Sequence, residues 1–228
     1  MDVPGQPAAA AELRPLGAES LAARIADRLV DAIASHTLQP GQRLIETEIA
    51  QALGVSRMPL REAVKLLEAQ GILTVTPRRG AVIAGFDERR THQICEARLA
   101  LERLALREAA PRLRDDPERR AALDRVIREM GARAEQEEWL AAGKADLEFH
   151  RQMVQAADNA LVEMLWEALA RHVLIVFGRE FRSERGAGHL VEQHRGLRDV
   201  LLSGTQGELE REIERHILRL RPGHSGRG

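Results

Sequence analysis

The chain has no tyrosine, and aromatics make up only 3 % of its 228 residues, so its packing must rest on Leu, Ala, Ile and Val. It has a single cysteine, Cys95, which excludes an internal disulfide and suits a reducing compartment. Any metal site would therefore draw on histidines and carboxylates. Long apolar runs are missing too. The longest, Val173 to Phe177, falls far short of the roughly 20 residues that a membrane-spanning helix needs. The opening stretch MDVPGQPAAAAELRPLGAES lacks the apolar centre of a signal peptide. A soluble, cytoplasmic protein with no membrane partner is expected. There is no surplus of either charge: the formal net is −1, so nucleic-acid binding would need a local basic patch.

What is present points to helices. Hydrophobic residues make up 44 % and charged residues 30 %, with Ala, Leu, Glu and Arg abundant. Residues 1–19, rich in Pro, Ala and Gly, read as a disordered tail. A helix follows from Ser20 to about His36, with Leu21, Ile25, Leu29 and Ile33 on one face. LQPGQRL is a turn, and Glu46 to Leu53 is a short second helix. Gly54 breaks it. Ser56 can cap a third helix, Pro59 is tolerable in its first turn, and Gly71 ends it. ILTVTPRRGAVIAGF reads as two short strands around a Pro-Arg-Arg-Gly tip. Beyond Phe86 the pattern is helical. The segments are Asp87 to Ala110, a helix opened by Asp116–Pro117, KADLEFHRQMVQAA, a helix capped by Asn159, HLVEQHRGLRDVLLSG, and TQGELEREIERHILRLR. This predicts a mainly α chain: a winged helix-turn-helix over 20–85, an antiparallel all-helical bundle over 86–221, and a tail over 222–228.

Three helices and a hairpin form the arrangement whose recognition helix lays its N-terminal residues in the DNA major groove. Arg57 and Arg61 lie four apart and share a face opposite Val64 and Leu67. From there guanidinium groups can reach guanine edges or phosphates. Ser56 can cap the helix or bind a phosphate. Gly80 at the wing tip permits close backbone approach, with Arg78 and Arg79 beside it. From Arg57 to Arg79 five basic residues stand against two acidic ones, a local surplus of three positive charges. A solvated helix with surface arginines would explain the charge alone. It does not explain the joint pattern.

LQPGQRLIETEIAQALGVSRMPLREAVKLLEAQGILTVTPRRGAVI resembles the DNA-binding half of a GntR-family bacterial transcription regulator. The family pattern G-V-S-R-x-P-x-R-E-A, then P-x-R-G, is matched by Gly54, Val55, Ser56, Arg57, Pro59, Arg61, Glu62, Ala63, Pro77, Arg79 and Gly80. Met58 stands where Thr is usual, which removes one hydroxyl contact to the DNA backbone. The resemblance implies a DNA-contacting set of Thr47, Ser56, Arg57, Met58, Pro59, Arg61, Arg78, Arg79 and Gly80. It also implies a homodimer on an inverted repeat of double-stranded operator DNA.

Three of the eight histidines fall on apolar, core-facing stripes. His150 lies four residues after Asp146, on a face shared with Phe149, Met153 and Ala157. His194 shares a stripe with Leu190, Leu197 and Leu201, and His216 with Ile213, Ile217 and Leu220. Buried polar groups without partners cost roughly 1–3 kcal/mol each, so these must satisfy one another or share a ligand. Three imidazoles and a carboxylate suit Zn²⁺, Ni²⁺ or a similar divalent ion. A set of hydrogen-bonded core histidines is the alternative for any one of them.

The D-x-x-x-H helix, QHRGLRDVLLSG and the terminal ERHI are similar to the FCD ligand-binding domain of the FadR subgroup. In that family's metal-binding members the ligand positions correspond to Asp146, His150, His194 and His216. Members without the metal bind acyl-CoA, a mode that four filled ligand positions argue against. Thr205 replaces a common Asp and still caps the last helix. Arg98, on an inward-leaning face between Ile94 and Leu101, matches an Arg that faces the ligand cavity. There it would pair with a small carboxylate effector chelating the metal. A surface ion pair to Glu102 is the alternative for that arginine. The expected function is a metabolite-responsive repressor and not an enzyme. The rivals are a metal-dependent hydrolase and a regulator with a purely structural metal.

Overall fold

The computed structural model describes residues 20–77, 80–180 and 186–218. The tails assigned to 1–19 and 222–228, Leu220, Arg78 and Arg79 lie outside the described residues.

Helix α1 (Leu21–Ala34) starts where the Ser20 hydroxyl accepts the Ala23 N–H. Ile25, Leu29, Val30 and Ile33 form its buried face. Leu21, expected on that face, is 48 % exposed. It is the first residue of the helix. Helix α2 (Glu46–Leu53) ends at Gly54, whose φ of 64° is the left-handed value that glycine adopts without penalty. Helix α3 (Arg57–Ala69) follows, with Leu60, Ala63, Val64 and Leu67 inward. Strands β1 (Leu73–Thr76) and β2 (Gly80–Ile83) pair antiparallel, from Leu73 opposite Ile83 to Thr76 opposite Gly80. Arg43 bridges Val82 from the other side, and Leu44 N–H donates to the Ala81 carbonyl. The segment before α2 thus adds a short third member that holds the hairpin against the helices.

The remaining described helices are α4 (Glu88–Asp115), α5 (Pro117–Glu135), α6 (Trp139–Gln155), α7 (Ala160–Glu180), α8 (Gly186–Ser203) and α9 (Gln206–Leu218). Their starts follow local chemistry. Asp87 accepts the Arg90 N–H, Asp116 accepts Glu118 and Arg119, and Asn159 accepts Val162. Thr205 and Glu208 cap α9 reciprocally. Two extents differ from expectation. α4 runs five residues beyond Ala110, past Pro111, because Leu113 continues its buried stripe. α6 begins five residues before Lys144, because Ala142 and Gly143 are already buried.

α4 packs on α6, α7, α8 and α9, and α5 packs on α6 and α8. The inward stripes of α4, α6, α8 and α9 therefore face a common interior. The N-terminal helices are attached to this bundle, not suspended from it: α1 lies along α7. A Cβ at Gly178 would overlap the Ala34 carbonyl, so the two backbones meet in direct contact. Arg171 pairs with Asp27 at 2.8 Å and Lys144 with Asp31 at 2.7 Å. His172 Nε2 lies 2.9 Å from the Gln70 carbonyl.

Candidate metal centre and nucleic-acid face

Four residues from three helices meet in the bundle interior. α6 contributes Asp146 and His150, α8 contributes His194, and α9 contributes His216. All are buried. One ligand atom from each lies within 4.8 Å of the others, so the group can hold a metal ion. His194 Nδ1 is 2.8 Å from the Leu190 carbonyl. A carbonyl can only accept, so Nδ1 carries the proton and Nε2 presents a lone pair. That Nε2 sits 2.8 Å from Asp146 Oδ1, yet neither atom has a partner in hydrogen-bond alignment. His150 Nε2 lies 3.1 Å from His216 Nε2, a spacing that requires a proton or a cation between two imidazoles. The donor set and these inward lone pairs fit a divalent ion.

Arg98 of α4 borders the cluster. Its Nη2 is 3.7 Å from Asp146 Oδ2, and its Nε donates to Glu102 Oε1 at 2.7 Å. The pairing with Glu102 expected as an alternative is present, but it is buried with the cluster and not on the surface. Glu102 was not among the expected site residues, nor was Trp166. Glu102 Oε1 also accepts the Trp166 Nε1–H at 3.0 Å, and Oε2 lies 2.7 Å from His150 Nδ1. The signal for Glu102 was its spacing: one turn beyond Arg98, on the same inward side of α4.

Burial would raise both carboxyls, but their neighbours outweigh it. Arg98 first and then His150 hold Glu102 down at about 2. With His194 Nε2 bare, Arg98 is the cation that holds the Asp146 carboxyl below the ordinary carboxylate range. Burial first and Arg98 second push His150 down, against the pull of Glu102 and Asp146. Both carboxylates are thus ionised at neutral pH and the His150 imidazole is neutral, which is the protonation state that metal ligation needs.

The expected DNA-facing residues gather at the front of α3. Ser56, Arg57, Met58 and Arg61 are exposed, Pro59 is half-buried, and Thr47 is exposed on α2. Ser56 occupies the N-cap position, but its hydroxyl makes no capping bond. Arg61 Nε donates to Glu46 Oε2 of α2 at 3.0 Å, which ties the two helices of the motif together. Gly80 opens β2 with a φ of 68°. Arg43, not anticipated, is exposed beside Gly80 and adds a basic side chain to the wing. The other described histidines make separate contacts: His36 accepts from Gln39 through its carbonyl, and the rings of His92, His172 and His189 meet Glu96, Gln70 and Gln193. His224 lies outside the described residues. Among the described residues no helix is long and apolar enough to cross a membrane.

A helix-turn-helix with a wing, joined to a helical bundle around a buried ligand-type cluster, defines the class of a DNA-binding regulator. Comparison with known families agrees. Residues 21–83 match the model of bacterial regulatory proteins of the gntR family, and residues 93–219 match the FCD domain. The chain belongs to the GntR family of transcription regulators, in the group that carries an FCD domain. Members are regulators, not enzymes, which removes the hydrolase alternative.

Among its relatives is a probable D-xylose utilization operon transcriptional repressor of Paenarthrobacter nicotinovorans. It is 29 % identical over 211 residues, covering 92 % of each chain. Another is the gluconate operon transcriptional repressor of Bacillus subtilis (strain 168), 30 % identical over 68 % of this chain and 62 % of that one. In fold the chain is similar to McbR/YncC of E. coli, with a TM-score of 0.74 at 20 % identity over 88 % of this chain and 95 % of that one.

Proposed function

We propose that this regulator is a metabolite-responsive repressor. In this reading a small carboxylate, bound at a divalent metal ion in the FCD bundle, changes its hold on operator DNA. The observation that carries the reading is the buried donor set Asp146, His150, His194 and His216 with Arg98 at its edge. When bound, a divalent ion supplies positive charge and open coordination positions for an anion. The local charges favour such a pair. Arg98, Glu102 and Asp146 together leave one negative charge in the buried interior, where an unbalanced charge is costly. A divalent cation turns that to one positive charge, and a monocarboxylate against Arg98 brings it to zero.

Ser56, Arg57, Met58, Pro59, Arg61 and Thr47, with Arg78, Arg79 and Gly80 at the wing, are the proposed DNA-contacting set. Its support is the exposure of the described members at the leading end of α3. Residues 20–85 would form the DNA-binding domain, and 86–221 the effector and dimerisation domain. α7 is the proposed link between them, since it carries Trp166 beside Glu102 and Arg171 beside Asp27.

A homodimer is part of the same reading. Leu161, Met164 and Leu165, spaced i, i+3, i+4 on α7, are 62 %, 60 % and 46 % exposed. Leu104, on α4, is 48 % exposed as well. Clustered exposed apolar side chains suit a self-complementary two-fold contact, and a two-fold dimer matches an inverted-repeat operator.

The test is elemental analysis of purified protein after zinc or nickel reconstitution, followed by titration with small carboxylates while DNA binding is monitored. Wild-type protein is expected to hold one metal ion per chain. The His194→Ala variant is expected to lose metal and carboxylate response together while DNA binding largely persists. Absence of metal from reconstituted wild-type protein sinks the metal reading. A normal carboxylate response in His194→Ala would reduce the metal to a structural role.

A further inference from the structure

We propose that Glu102 is the positioning residue of this centre. One buried carboxylate sets the tautomer of His150 and the pose of Arg98 together, and so presents a metal-binding nitrogen and an anion-pairing guanidinium to the same space. The purpose of this arrangement rests on the metal-and-carboxylate reading above, but its geometry does not.

Glu102 is reached from three helices. Arg98 Nε–H from its own helix and Trp166 Nε1–H from α7 both donate to Oε1, at 2.7 and 3.0 Å. Neither donor can act as an acceptor, so Oε1 is fixed as the accepting oxygen. The other oxygen, Oε2, meets His150 Nδ1 of α6 at 2.7 Å. Against an ionised carboxylate the imidazole must donate, so the proton sits on Nδ1. The ring's bare nitrogen is then Nε2, which lies inside the cluster 3.1 Å from His216 Nε2. His194 reaches the same tautomer by another route, through the Leu190 carbonyl, which orients that ring alone. Glu102 differs because its Oε1 also anchors Arg98. Turning the carboxylate would release His150 and move the guanidinium in one motion. Trp166 braces it against that turn. Outer carboxylates that orient ligating histidines generally set metal affinity, and their loss costs 10–100-fold.

The Glu102→Gln substitution keeps size and shape and makes an inverted prediction. Its carbonyl oxygen must take the Oε1 place, because Arg98 and Trp166 both donate there. Its amide nitrogen then faces His150 Nδ1 as a donor, so Nδ1 must accept and the ring proton must move to Nε2. ¹⁵N NMR of histidine-labelled, full-length, metal-free protein reads this directly. Wild-type His150 is expected with Nδ1 protonated and Nε2 bare. The variant is expected to show the opposite, and Glu102→Asp to retain the wild-type pattern. Zinc titration of chelator-stripped protein should then show one ion per chain in both wild type and Glu102→Gln, with 10–100-fold weaker binding in the variant.

Protonated Nε2 in wild-type His150 overturns the proposal without any variant. An unchanged tautomer in folded Glu102→Gln also overturns it, as does an inverted tautomer with undiminished zinc affinity. If the wild type takes up neither zinc nor nickel, the metal reading fails, and the tautomer measurements still decide whether Glu102 positions His150.

Discussion

Arg57 and Arg61 stand four residues apart on the exposed front of α3, but their surroundings differ. Arg61 is already oriented by Glu46, so it needs less ordering on DNA and has a competing carboxylate to leave. Arg57→Ala and Arg61→Ala should each weaken operator binding by about 1–3 kcal/mol, the cost of a lost bidentate base contact. Neither side chain is part of the core, so the thermal melts should stay normal. Electrophoretic or fluorescence titration checks this, and wild-type affinity in both variants would remove α3 as the recognition helix. At this scale the four candidate ligands were legible because each interrupts an apolar stripe with a group that cannot be buried alone. Glu102 was not. An Arg and a Glu one turn apart are the ordinary pattern of a solvated helix face, and α4 carries charges on several sides. Only the convergence of α6 and α7 on α4 shows that this pair is interior.

At the scale of elements, helix identities followed from apolar spacing, and the starts of α5, α7 and α9 followed from the caps Asp116, Asn159 and Thr205. Ends were harder to place. Pro111 reads as a stop, yet Leu113 gains enough from burial to carry α4 past it. The packing of α1 along α7 was not legible, since it depends on two helix faces matching across more than a hundred residues of chain. At Gly178 the two backbones meet with no room for a side chain. Gly178→Ala should force the helices apart and cost about 1–3 kcal/mol, the usual range for overpacking, measured by chemical or thermal unfolding. If α7 links the centre to the DNA-binding end, the same variant should weaken the carboxylate response more than it weakens metal binding. An unchanged melt would mean that α1 and α7 do not meet as closely as described.

For the whole molecule, light scattering should find a two-fold dimer, and charged replacement of Leu161 and Leu165 together should shift it to monomer. A wild-type monomer both free and on DNA would contradict that arrangement. The pH dependence of stability follows from the buried cluster. Glu102 is held at about 2, below its ordinary 4.5. The unfolded chain therefore binds a proton that the folded chain refuses, and stability falls as pH drops from about 4.5 toward 2. Asp146 is also lowered and acts in the same direction. His150 is pushed below 6.5 in the fold, so unfolded chains take up a proton there as pH falls through that value while the folded imidazole stays neutral. All three groups favour unfolding in acid, and none opposes the others. Melting temperature should be level above about pH 7, decline below 6.5, and decline again below 4.5. Bound zinc should raise the neutral plateau by mass action and steepen the first decline, because ligation also requires neutral imidazoles. Thermal melts from pH 8 to 4, in chelator and with zinc, measure both curves. A melting temperature that stays flat down to pH 4 in chelator would mean that these side chains are reached by water and are not sealed in the bundle.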